Sequence, residues 1–175
     1  MRWVRLLSTI LRAKFKSKID ANQMTSLNFY VWITDIDVSV MNHAALLTVM
    51  EVGRLDFMVR TGFFRVANKN KWFIPSQAIS AQFYKPLKVF QKARLHSKIS
   101  YVDNKWIYME QKITRNNKDI AFCLTKSTIK NGKITVPTEV MVNELNLQNL
   151  PNEKDKLITT FEKECQQMFE RKSLW

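Results

Sequence analysis

The stretch Thr34–Phe57, "TDIDVSVMNHAALLTVMEVGRLDF", decides how this chain folds. Two carboxylates in a short loop run directly into a segment that carries Ala44, Ala45, Leu46, Leu47, Val49, Met50, Val52, Leu55, Phe57, Met58 and Val59. A helix that is apolar on nearly every side is buried on nearly every side. The spacing therefore predicts a central helix from about Asn42 to Thr61, closed by Gly62. The acids at its mouth have two readings. A helix N-terminus presents unpaired N–H groups and a partial positive charge, which attract anions and polarise a carbonyl. The same place is where Asp35, Asp37, Ser39 or Asn42 would cap the first turn.

Before the loop, Leu27 to Ile33 reads as a strand by its aromatic and β-branched content. After the helix come strand-like runs near 72–84, 89–102, 105–115 and 119–130, divided by turns such as "VDNK", "RNNKD" and the "NG" at 131–132, and read as an antiparallel meander. Pro137 to Asn146 and Glu153 to Arg171 read as helices, the second with Phe161, Cys165 and Phe169 along one side. The predicted class is α+β. An antiparallel sheet wraps around a long buried central helix, an amphipathic helix precedes it and further helices follow, which is the hotdog architecture. The divisions are an N-terminal basic helix over 1–20, one hotdog domain over 21–136 and a helical extension over 137–175.

The chain has 175 residues, 46% of them hydrophobic, with 3 Gly and 4 Pro, which suits one compact domain and excludes a disordered or low-complexity chain. No apolar run reaches the roughly 18 residues of a membrane span, and "WVRLLSTIL" lacks a secretory cleavage site. Cys123 and Cys165 follow no metal or disulfide spacing, so free thiols in a cytoplasmic setting are expected and no metal is assigned. The net charge of +13 is unevenly placed. Residues 1–18 hold six Lys or Arg and no acid, and residues 60–133 hold sixteen against Asp103, Glu110 and Asp119. An anionic partner follows: nucleic acid, anionic lipid or a phosphorylated molecule such as coenzyme A. In the first segment Trp3, Leu7, Ile10, Leu11 and Phe15 fall at helical spacing opposite the basic residues, suiting reversible peripheral contact with an anionic membrane through residues 1–18.

The "TDID" loop, "MNHAALL", "EVGR" and then "YKPLKVFQKARLHSKISYVDNKWIYMEQKI" at 84–113 resemble the acyl-CoA thioesterase family of 4-hydroxybenzoyl-CoA thioesterase-like hotdog proteins. The motifs are most like the branch containing thioesterase superfamily member six, and the likeness covers roughly residues 27–130. The family's Asp-x-Asp loop falls on Asp35 and Asp37, its Met-Asn-Asn start on Met41, Asn42 and His43, and its later acid and arginine on Glu51 and Arg54. Pro86, Phe90, Asp103, Lys105, Trp106, Tyr108 and Glu110 resemble its central strands. Three positions depart from the pattern: the loop is one residue short, His43 stands at the second Asn, and Leu46 stands where an aromatic is usual.

The resemblance implies hydrolysis of a fatty acyl-CoA or related thioester to acid and CoA, with no cofactor. Asp37 takes the role of the carboxylate that activates water or attacks, and Asn42 and His43 complete the catalytic set. The carbonyl would be polarised at the helix start, Asn42, His43, Ala44 and Ala45. Asp35, Glu51 and Arg54 are assigned supporting roles, the last two as an ion pair or a contact between subunits. Arg65, Lys69, Lys71, Lys85 and Lys88 are candidate contacts for the CoA phosphates. A homodimer or dimer of dimers is expected. The alternative is a hotdog domain without turnover that binds acyl-CoA or acts as an interaction module. Nucleic-acid binding ranks last for want of a recognised module, and a Cys123 nucleophile with His43 or His96 is set aside because nothing brings them together.

Overall fold

The computed structural model describes residues 13, 15–147, 150 and 153–172. Most of the expected N-terminal amphipathic helix lies outside them. Among the described residues the elements in order are β1 (Thr25–Tyr30), β2 (Ile36–Asp37), β3 (Val40–Met41), α1 (His43–Arg60), α2 (Phe63–Lys69), β4 (Ser76–Phe83), β5 (Lys92–Val102), β6 (Ile107–Arg115), β7 (Lys118–Ser127), β8 (Ile129–Asn131), β9 (Ile134–Val136), α3 (Thr138–Leu145) and α4 (Lys156–Arg171). A 3-10 turn at Ile33–Asp35 links β1 to β2. No helix among the described residues is long and apolar enough to cross a membrane.

The main sheet has the order β1-β5-β6-β7-β4, all neighbours antiparallel. Three consecutive strands, β5 to β7, form the expected meander. β4 does not join it next to β5 but pairs with β7 at the far edge, Ala81 opposite Cys123. This corrects the four-strand meander, and the reason is that β5's other side is taken by β1, Leu27 opposite Leu95. Turn chemistry is local and follows the sequence. Asn116 and Asn117 both sit at positive φ in the two-residue loop between Arg115 and Lys118, the geometry that matches sheet twist.

α1 crosses one face of this sheet. Asn42 caps it with a side-chain oxygen that accepts the Ala45 N–H at 2.6 Å, and Gly62 follows its end at φ 82°, where a side chain would be strained. Leu46, Val49, Met50, Val52, Gly53 and Phe57 are buried against the strands. The opposite side is not. Leu47, Thr48, Glu51, Arg54, Leu55 and Met58 line an open groove of about 490 Å³ with Ile74, Pro75, Ser76 and Ile79. The expectation of a helix buried all round is thus corrected, because one sheet covers one face only.

The helix and sheet approach closely at Gly53, where an added Cβ would fall 2.2 Å from Leu95 Cδ2. Beside it a buried polar chain crosses the interface. Gln111 Nε2 donates to Met50 O at 2.8 Å and to Ser97 Oγ at 2.9 Å, while Arg54 Nη1 donates to Gln111 Oε1 at 2.9 Å. Its members satisfy one another, as buried polar groups must. On the sheet's outer face α4 lies over Tyr108 and Leu124, burying Ile158 and Phe161. Of the side predicted for this helix, Phe161 is buried while Phe169 is 69% exposed.

Candidate active site

The loop between β1 and α1 is built by its own backbone. The Asp35 carboxylate is buried and accepts the Trp32 N–H at 2.8 Å, and its carbonyl accepts the Asn42 N–H at 2.9 Å. These bonds hold the loop against the helix mouth. β2 and β3 then make a two-residue hairpin that turns at Val38 and Ser39, with Asp37 opposite Val40, and the Met41 N–H donates to Leu87 O at 2.7 Å. Asp37 is left exposed beside the helix start.

A cavity of about 340 Å³ opens there, lined by Asp37, Val40, Met41, Asn42, His43, Leu46, Phe83, Tyr84, Lys85 and Pro86. It brings together the Asp37, Asn42, His43 and Lys85 named from sequence. The His43 ring packs on Phe83 with centroids 4.4 Å apart. Of the four helix-start residues, two have their N–H groups engaged: Asn42 donates to Asp35 O and Ala45 to its own cap. The first-turn N–H groups of His43 and Ala44 are the ones that helix geometry leaves without an intrahelical partner. They, and not all four, are the donors available to an oxyanion. Asn42 acts on the helix, because its side-chain oxygen is the cap.

Other assigned residues lie elsewhere. Glu51 and Arg54 face the neighbouring groove along α1. Burial pulls the Arg54 guanidinium down from its ordinary value, with the Cys123 thiol and Glu51 acting the other way. Arg65, Lys69 and Lys71 sit on α2 and just after it, past the far end of α1. Lys85 lies instead by the start of α1, a helix of 18 residues and about 27 Å in length. One protomer therefore does not gather the five basic residues at one point. Cys123 is fully buried on the sheet face toward α1, and burial pushes its thiol up. In register with Gln111 and Ser97, it lies on the opposite face from His96. His96 contacts Ser26 Oγ at 2.9 Å and Thr114 Oγ1 at 3.2 Å on that outer face. A Cys123–His96 pair is ruled out by the pleat.

Sequence reasoning missed Phe83 and Tyr84 as lining residues, and Ile74, Pro75, Ser76 and Ile79 as the groove wall. Their signal was indirect, since they belong to or directly flank β4, the strand whose place in the sheet the sequence did not show. Among the described residues no group of three or more His, Cys, Asp or Glu could hold a metal ion.

No curated protein gives a sequence match. Solved structures do share the fold. A probable thioesterase from Bartonella henselae is 21% identical, with 66% of this chain and 97% of that one covered at a TM-score of 0.60. A probable thioesterase from Escherichia coli is 18% identical, with 72% and 98% covered at 0.65. The 4-hydroxybenzoyl CoA thioesterase of a Pseudomonas strain is 9% identical, with 70% and 99% covered at 0.63. The sequence itself matches the thioesterase-like superfamily over residues 31–142, from the end of β1 into α3. That span holds the Asp loop, the central helix and the whole meander, and the chain accordingly belongs to the thioesterase-like superfamily, a thioester hydrolase on the hotdog fold.

Proposed function

We propose that this protein hydrolyses a fatty acyl-CoA, with Asp37 as the carboxylate that activates water or attacks the thioester carbonyl. The observation that carries the reading is the single cavity in which Asp37 stands beside the N-terminus of α1. A carbonyl oxygen set against the His43 and Ala44 N–H groups meets fixed dipoles, which stabilise the charge that develops in the transition state. Asp37, exposed at the cavity, then either takes a proton from a water whose oxygen adds to the carbonyl carbon, expelling CoA, which receives that proton, or itself adds to the carbonyl carbon, expelling the CoA thiolate and leaving a mixed anhydride that water hydrolyses to the free acid. No cofactor enters this scheme. Lys85 lines the cavity, which supports a contact with an anionic part of the substrate.

An aliphatic acyl group is favoured over an aromatic one by the adjoining groove, where Leu47, Leu55, Met58, Ile74 and Ile79 continue the apolar lining along α1. An acyl chain following the helix meets Glu51 about 12 Å beyond His43, at a rise of about 1.5 Å per residue. The Pseudomonas relative acts on an aromatic thioester, so the distinction is experimental. Two free thiols, Cys123 and Cys165, suit a reducing cytoplasmic compartment.

The test is release of free thiol by the purified protein from acyl-CoAs of graded chain length and from 4-hydroxybenzoyl-CoA. Aliphatic substrates should turn over faster. Asp37→Asn should lower turnover by at least about a hundredfold, the scale of a lost general base, at unchanged melting temperature. Asp35→Asn should act on stability instead. Near-normal turnover in Asp37→Asn, or activity lost only in step with stability, would show that the acid at this helix mouth is structural.

A further inference from the structure

Three chain segments meet at the rim of the Asp37 cavity. Val31 N–H donates to Gln91 O at 3.0 Å, Phe90 N–H to Val31 O at 2.8 Å and Met41 N–H to Leu87 O at 2.7 Å, so the segments form one surface. From it project Tyr30, Trp32, Ile33, Val38, Val89 and Phe90, each at least 37% exposed. Val38, at the hairpin tip, is fully exposed.

Two of these side chains stand on left-handed backbone, Val38 at φ 56° and Phe90 at φ 61°. Bulky and β-branched residues are strained there, whereas Asn or Gly is not. Val38 recovers nothing by burial, and Phe90 is 62% exposed. Folding stability therefore gives no reason for an apolar residue at either tip, and strain kept at such a place points to a function.

Apart from Asp37, beside the Val38 tip, the charge around the tips is positive. Residues 25–34 and 83–94 contain Lys85, Lys88, Lys92 and Arg94 and no acid. Lys92 Nζ lies 5.9 Å from the Tyr30 ring centroid. Asp35 is buried, which leaves Asp37 as the exposed carboxylate between the two stretches.

We propose that this rim docks on an anionic phospholipid bilayer. Tyr and Trp rings settle at headgroup level, aliphatic tips enter the acyl boundary, and lysines meet lipid phosphates. Protruding tips on three loops offer a folded partner no groove to fill, while a fluid bilayer closes around them. Docking sets the cavity mouth against the layer into which amphiphilic acyl thioesters partition. The surface is distinct from residues 16–19, because Lys16 and Ile19 bond to Asp56 and Arg60 at the other end of α1.

Flotation of the full chain with vesicles of phosphatidylcholine, with and without phosphatidylserine, tests this. Binding should need phosphatidylserine, fall with added salt and weaken in Lys92→Gln. The double variant Val38→Asn with Phe90→Asn should keep or raise the melting temperature, since Asn tolerates the backbone, yet partition at least about tenfold less. Flotation unchanged in the double variant would overturn the proposal. So would loss of flotation together with a lowered melting temperature, or a changed oligomeric mass by light scattering, which would assign the rim to a second copy of the chain. None of these outcomes bears on thioester turnover in solution, which tests the hydrolase reading separately.

Discussion

Asp35 and Asp37 are two residues apart and do different work, because the backbone between them changes direction. Asp35 points inward and accepts the Trp32 N–H; Asp37, two residues later, faces the cavity. The pattern Asp-x-Asp names both acids, and only the hairpin separates them. Gly53 makes a similar point inside the helix. Nothing in "MEVGRLDF" distinguishes a helix-weakening glycine from a required one. In the structure a Cβ there would stand 2.2 Å from Leu95 Cδ2 and 3.1 Å from both Gln111 Nε2 and Ser97 Oγ. Gly53→Ala should therefore destabilise the protein by about 1–3 kcal/mol through overpacking, in spite of alanine's better helix propensity. A raised melting temperature would show that the helix has room to move away.

At the scale of elements, α4 is fastened to the sheet by charge as well as by Ile158 and Phe161. Glu162 receives Lys154 Nζ at 2.8 and 2.9 Å and the Tyr108 hydroxyl, and Lys154 also reaches Asp103 at 3.2 Å. Burial pushes the Glu162 carboxyl up, but the hydrogen bonds from Lys154 and Tyr108 and the nearby positive charges outweigh it and hold it below its ordinary value. A carboxyl with a folded pKa below the unfolded value, about 4.3 for Glu, adds stability above that value and loses it as pH falls through the folded pKa. The gap in melting temperature between the wild type and Glu162→Gln should then be present at neutral pH and close in acid, below about pH 4. The carboxylate is partly exposed and solvent-screened, so the gap should be modest. A gap of constant size across this range would mean that the glutamate acts through packing alone.

For the whole molecule, the open groove and the free edge of β4 call for cover. Eight residues of β4 stand at the edge of the sheet, with Ile79 43% exposed beside Ile74 and the outer side of α1. An uncovered edge strand next to an apolar groove invites pairing with a second copy. Light scattering at micromolar concentration should give a dimer, and Ile79→Lys should give a folded monomer. A monomeric wild type would leave the groove to substrate alone.

The order of the longer elements, the bounds of α1 and the tight Asn turn were legible in the sequence, because caps, left-handed residues and apolar periodicity act within a few residues of one another; the β2–β3 and β8–β9 hairpins and α2, too short to show a period, were not. The family was legible for a related reason: Asp35, Asp37, Asn42, Glu51 and Arg54 keep fixed spacings along one loop and one helix. The pairing of β4 with β7, the open side of α1 and the packing of His43 on Phe83 were decided by tertiary structure. Each depends on which strand lies beside which, and that choice joins residues tens of positions apart. The same holds for the two carboxylates. Chain order brings both to the helix mouth, but only the folded hairpin, held by Met41 on Leu87, turns one inward and leaves the other facing the cavity.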